Sequence, residues 1–190
     1  VWIVTGDNPP QPIAPMSGYP VITGDGAWLA AADGLYRLAA DSSPERVLAL
    51  PAAQLRRSAA ISLPNGGLLL AHADAADRRL IALNADGSVR WDRSFAGLIE
   101  GEVSLLAAAN GQVYLAAQAT VGSASESQVF AVDVETAVLT HLFTGGTRSG
   151  VWGDAWVTAV GANLLLNTGG GSLLALDPQV AQALVLAERE

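Results

Sequence analysis

Self-similarity constrains this chain before anything else. Four times it runs through an apolar stretch, a Gly- or Asn-marked turn, a second apolar stretch, a loop and a short apolar triplet. The triplets are Tyr36-Arg37-Leu38, Ile81-Ala82-Leu83, Phe130-Ala131-Val132 and Leu174-Ala175-Leu176, and their last residues are spaced by 45, 49 and 44. Ahead of them stand the turns Asp25-Gly26, Asn65-Gly66, Asn110-Gly111 and, more loosely, Gly161-Ala162-Asn163. Asx-Gly between apolar runs signals a hairpin, since both residues tolerate positive φ in a type I′ turn.

The runs themselves read as strands. Val21-Ile22, Trp28-Leu29-Ala30, Leu68-Leu69-Leu70, Val113-Tyr114-Leu115 and Leu164-Leu165-Leu166 are each bounded by Gly, Asn, Asp or Pro too closely for an ordinary helix. The abundant Ala argues for helix, but an interior Gly costs about 1 kcal/mol there and the turns recur too often. Only the C-terminus leaves two readings. Asp177-Pro178 can open a helix through Val180, Leu184 and Ala187, or a strand can run from Gln182 to Leu186.

A repeat of 40 to 50 residues holding about four strands has the period of a β-propeller blade. The expected fold is all-β: four-stranded antiparallel blades at about 18–50, 59–95, 103–143 and 155–187, one partial propeller domain over 1–190. Near-continuous apolar runs fit sheets covered on both faces, because a sheet with one wet face alternates. The expected partners include remaining blades or another protein. An open run of blades exposes apolar faces and invites association.

Composition narrows the chemistry. A chain that is 51% hydrophobic, with mean hydropathy +0.33, buries enough apolar surface to fold. It has no Cys, which removes disulfides, zinc knuckles and thiol catalysis. All ten basic residues are Arg against 18 carboxylates, which excludes nucleic acid as an expected partner. The uncharged stretches 103–125 and 155–176 are interrupted by Asn110-Gly111 and Gly169-Gly170-Gly171, so neither reads as a transmembrane segment. The start, Val1-Trp2-Ile3-Val4, has no basic leader region and reads as a mature or excised end.

The segment Leu80-Ile81-Ala82-Leu83-Asn84-Ala85-Asp86-Gly87-Ser88-Val89-Arg90-Trp91 resembles the repeat of the PQQ-like (quinoprotein) propeller superfamily. That repeat reads ALD, a short turn ending in Gly, then a strand closing on Trp; Gly87 and Trp91 hold the matching positions. Leu174-Ala175-Leu176-Asp177-Pro178 repeats the opening, and Asp133 and Thr136 match in the third blade, where Ala137 replaces Gly. The resemblance implies that Trp91 docks between neighbouring blades, and that the four blades are part of a wheel of seven or eight. It also implies a place outside the cytoplasm, as for the outer-membrane assembly lipoprotein BamB. The superfamily's dehydrogenases use a quinone, a carboxylate-held calcium or lanthanide, and often an adjacent-cysteine disulfide. This chain has no Cys and no carboxylate-and-amide cluster of that pattern, so no cofactor and no metal site are expected.

Other motifs fail on spacing. Asn84-Ala85-Asp86-Gly87 lacks the flanking acids of a calcium loop and reads as a turn. Gly24-Asp25-Gly26 has Leu29 where a dinucleotide fingerprint needs Gly. His72 and His141, 69 residues apart, read as strand residues rather than metal ligands. The candidate ligand or partner loops lie at one end of the blades, where the second-to-third and fourth-to-first strand connections emerge. The longest, Thr144 to Trp156, carries Arg148, Trp152 and Asp154, an Arg fork and an indole face suited to binding. The corresponding connections hold Arg56, Arg57, Glu100 and Glu102, and their companions hold Asp74, Asp77, Arg78, Arg79 and Glu126. The function expected is a non-enzymatic scaffold binding a protein or small ligand. The alternative is part of a quinone-dependent dehydrogenase whose catalytic residues lie mostly elsewhere.

Overall fold

The computed structural model describes residues 2–3, 11–12, 21–23, 26–31, 34–39, 44–49, 59–73, 78–98, 102–109, 112–121, 124–146, 156–167, 172–178 and 182–188. All its regular elements are strands. A short pair, β1 (Trp2–Ile3) and β2 (Gln11–Pro12), precedes four sheets. The first holds β3 (Val21–Thr23), β4 (Gly26–Ala31), β5 (Gly34–Ala39) and β6 (Glu45–Leu48). The second holds β7 (Ala59–Ser62), β8 (Leu68–Ala73), β9 (Arg78–Leu83) and β10 (Val89–Ser94). The third holds β11 (Glu102–Ala109), β12 (Gln112–Val121), β13 (Ala124–Asp133) and β14 (Val138–Gly146). The fourth holds β15 (Trp156–Val160), β16 (Asn163–Asn167), β17 (Ser172–Asp177) and β18 (Gln182–Glu188). Within each sheet the strands lie in chain order, a four-stranded meander. The C-terminal segment is therefore a strand: the ladder from Ser172↔Glu188 to Asp177↔Gln182 supplies backbone partners along its whole length.

The chain divides into two compact units. One comprises Val1–Asp74 and Leu80–Asp92, the other Ala75–Arg79 and Arg93–Glu190. In the first, Trp28 and Leu35 of the first sheet pack with Leu68, Leu70, Ile81 and Leu83 of the second, and Val47, Leu48 and Ala60 close the cluster. In the second, Tyr114, Ala116 and Val129 of the third sheet pack with Leu164, Leu166, Leu174 and Leu176 of the fourth. The leading strands lie side by side, β3 against β7 and β11 against β15. Successive residues of a strand point to opposite faces. Leu69, Leu80 and Ala82, on the face of the second sheet turned away from that core, are buried as well. Two-sided burial is the physical reason for the unbroken apolar runs.

The turn at Asn65-Gly66 departs from the type I′ expectation, while Asp25, Asn110 and Gly111 lie outside the described residues. At Leu63–Gly67 the Gly66 N–H donates to the Leu63 carbonyl at 3.0 Å and the Leu63 N–H to the Gly67 carbonyl at 2.8 Å. Gly66 has φ +79 while Asn65 keeps a negative φ. Pro64 fixes a negative φ at the first central position, which a type I turn accepts and a type I′ turn forbids. The left-handed step therefore falls one residue later. Asn84–Ser88 repeats this arrangement, with Gly87 N–H on the Asn84 carbonyl and Gly87 at φ +89.

Candidate functional site

In a meander, the second-to-third and fourth-to-first connections leave from the same end of each sheet. Of the residues expected there, Arg56, Arg57, Asp74, Asp77, Glu100, Arg148, Trp152 and Asp154 lie outside the described residues. Glu102 opens β11 opposite Gln118, and Trp156 opens β15. Arg78, Arg79 and Glu126 belong to strands rather than to loops: the two arginines begin β9, and Glu126 lies inside β13 opposite Ala119 and Gly146. The ladders run beyond the last apolar residue, because backbone pairing tolerates a polar side chain at a strand end.

At this end of the second sheet the structure places Arg78 and Arg79, half-buried, on β9, and Arg93, exposed, on β10. The Phe95 N–H donates to the Arg78 carbonyl at 2.6 Å, tying the chain after β10 to the start of β9. A turn follows, closed by Leu98 N–H on the Phe95 carbonyl at 3.0 Å, and it leaves Leu98 48% exposed. Arginine forks suit a carboxylate or phosphate ligand. Charge distribution was the available sequence signal: eight of the ten arginines fall between Arg37 and Arg93, against six carboxylates there, in a chain of net charge −8.

The third sheet carries a second polar group. His141 and Thr144 share a hydrogen bond at 2.7 Å between Nε2 and Oγ1, and the His141 ring meets Phe130 edge-on at 5.3 Å. These contacts hold His141 as an exposed strand residue. Gln128, opposite Thr144 in the ladder, has a buried Oε1 with no hydrogen-bond partner. Nothing in the sequence marked Gln128, because its burial depends on how the neighbouring strands cover it. Among the described residues no group of three or more His, Asp or Glu is placed to hold a metal ion.

At the opposite end, two carboxyls are held below the ordinary range. Asp86 accepts from the Ser88 hydroxyl at 2.7 Å and from the Ser88 N–H at 2.9 Å, and these bonds favour its charged form. Asp133 is lowered by Thr136, first through its hydroxyl and then its N–H, and by the Glu135 N–H. Burial pushes the Tyr114 phenol up, and the charge of Asp177 adds to this. Gly87, buried, presses on the first sheet: a Cβ there would lie 2.6 Å from Val47 Cγ1. Trp91 is half-buried on β10, whereas Trp28 of the same unit is 2% exposed.

No model of a protein family matches the chain, and no curated protein matches it. Among solved structures the chain is similar to a luciferin-regenerating enzyme, at 15% identity and a TM-score of 0.52. The likeness covers 90% of this chain and 61% of that one, and it is a likeness of fold. Among the described residues no helix is long and apolar enough to cross a membrane.

Proposed function

We propose that this chain is a run of four propeller blades of the quinoprotein-like type. It works as a non-enzymatic scaffold that presents loops to a protein partner or small ligand, outside the cytoplasm. The observation that carries the reading is the sequence of four meander sheets whose leading strands pack side by side, β3 on β7 and β11 on β15. The propeller-like character of the similar solved structure supports it. The residues this reading assigns to binding are the sequence candidates Arg56, Arg57, Asp74, Asp77, Glu100, Glu102, Arg148, Trp152 and Asp154.

The test separates scaffold from quinone enzyme. The purified chain is incubated with pyrroloquinoline quinone and calcium, desalted, and examined for quinone absorbance, bound calcium and thermal shift. The scaffold reading expects none of the three. Retention of quinone together with calcium overturns it in favour of part of a quinone-dependent dehydrogenase.

A further inference from the structure

The fourth strand of the third sheet carries one residue more than its partner. Val129 pairs with Phe143 but Phe130 pairs with His141, so Leu142 is an extra residue, a β-bulge. In a regular strand His141 and Thr144, three positions apart, would point to opposite faces. The bulge turns both to one face, where Nε2 and Oγ1 meet at 2.7 Å. The register fixes what else lies there. Gln128 stands opposite Thr144, Phe130 opposite His141, and Glu126, two residues before Gln128, opposite Gly146. Glu126, Gln128, His141 and Thr144 therefore share one face of β13 and β14, and all four belong to the second compact unit.

Their hydrogen-bonding capacities do not balance. Gln128 Oε1 is buried and accepts from nothing, an arrangement that native proteins rarely leave without a donor. Thr144 and His141 spend a donor and a lone pair on each other. Glu126, half-buried on the same face, offers only acceptors when ionised. The face thus asks for N–H or O–H donors, and the carboxylate asks for positive charge with them. The wider charge agrees: between Ser94 and Glu190 the chain has nine carboxylates and two arginines. Reaching Oε1 costs little. Gln128 as a whole is half-buried, and turning its amide outward breaks no hydrogen bond of Oε1. The ladder neighbours are small, Ala117 beside Gln128 and Ala119 beside Glu126.

We propose that this face of the third sheet is a guanidinium site. Glu126 takes the flat fork through two parallel N–H groups, and Gln128 Oε1 accepts a further N–H from the same cation. A guanidinium answers both needs at once, because it joins a bidentate match for a carboxylate to spare donors alongside. The inference rests on the scaffold reading and gives its ligand a chemistry: an arginine side chain of a protein partner, or a free small guanidine.

The test titrates the 190-residue chain with methylguanidinium while the side-chain amide signals of Gln128 are followed by NMR. Saturable shifts are expected. Tetramethylammonium, a cation with no N–H, should leave those signals in place. Glu126→Gln and Gln128→Leu should each weaken binding on the order of tenfold, the value of one hydrogen bond to a charged group; for Gln128→Leu the Thr144 amide is the reporter. Should Gln128→Leu alter the fold by circular dichroism, Gln128→Met takes its place. Absence of saturable shifts overturns the proposal, as does an equal response to tetramethylammonium or undiminished binding by a folded Glu126→Gln chain. A short peptide with one central arginine separates the sources: tighter binding than methylguanidinium assigns the site to a partner's side chain, equal binding to a free guanidine. A failed titration leaves the scaffold reading standing, whereas retained quinone and calcium removes that reading whatever methylguanidinium does.

Discussion

The turns Asn84–Ser88 and Asp133–Ala137 join the third and fourth strands of neighbouring repeats, and they are held differently. In the first, Asn84 Nδ2 donates to Ser88 Oγ at 3.0 Å, Ser88 bonds Asp86, and Arg90 Nε reaches back to Asn84 Oδ1 at 3.0 Å. In the second, Asp133 Oδ1 accepts the Glu135 and Thr136 N–H groups, and Ala137 N–H closes on the Asp133 carbonyl at 2.9 Å. Each turn needs one left-handed residue, Gly87 at φ +89 in one and Ala137 at φ +59 in the other. Backbone geometry alone thus does not demand glycine, since alanine sits in the same region at a cost of about 1–2 kcal/mol. Glycine is required where a neighbouring sheet arrives, as Val47 does at Gly87.

The largest expected effect concerns the floor on which the first turn rests. Trp28→Ala should lower stability by about 3–5 kcal/mol in urea melts, as for other enclosed aromatics. Trp91→Ala should lose only about 1–2 kcal/mol, because part of its surface already faces water. Equal losses would show that Trp91 is as fully packed as Trp28 and would erase the distinction between them.

Exchanging the left-handed residues should be asymmetric. Gly87→Ala combines the left-handed penalty with a collision against Val47 and should cost about 2–3 kcal/mol. Adding Val47→Ala should recover the steric part, read as a coupling in a double-mutant cycle. Ala137→Gly should change stability by less than about 1 kcal/mol, since relief of φ is offset by a freer unfolded chain and a lost buried methyl. A large gain from Ala137→Gly would mean that the second turn is strained as well.

The smallest effect is the acid dependence. Asp86 and Asp133 both have pKa values lowered from 3.8 by turn hydrogen bonds. Their stabilising contribution is therefore present above the ordinary carboxylate range and fades as pH falls through the lowered values. Carboxyl titration by NMR should place both midpoints below 3.8, with Ser88→Ala raising Asp86 alone and Thr136→Ala raising Asp133 alone. An ordinary midpoint for either would show that its turn bonds are absent in solution.

Much of the architecture is legible in the chain because its causes are local. Apolar runs of strand length, Asx and Gly between them, and a triplet recurring at 45, 49 and 44 residues determined an all-β chain of repeated sheets. Turn type was less legible, since Pro64 acts on the step before Asn65-Gly66 and moves the left-handed residue. Strand ends at Arg78, Arg79 and Glu126 were hidden because ladder bonds give no side-chain signal.

The sequence by itself determined where strands and turns fall, because hydrophobic periodicity and φ preferences act within a few residues. Only the tertiary structure decided that Trp28 is enclosed, that Gly87 must lack a Cβ, and that Gln128 Oε1 is buried without a partner. Those outcomes depend on which sheet packs against which, a long-range choice that no single repeat encodes.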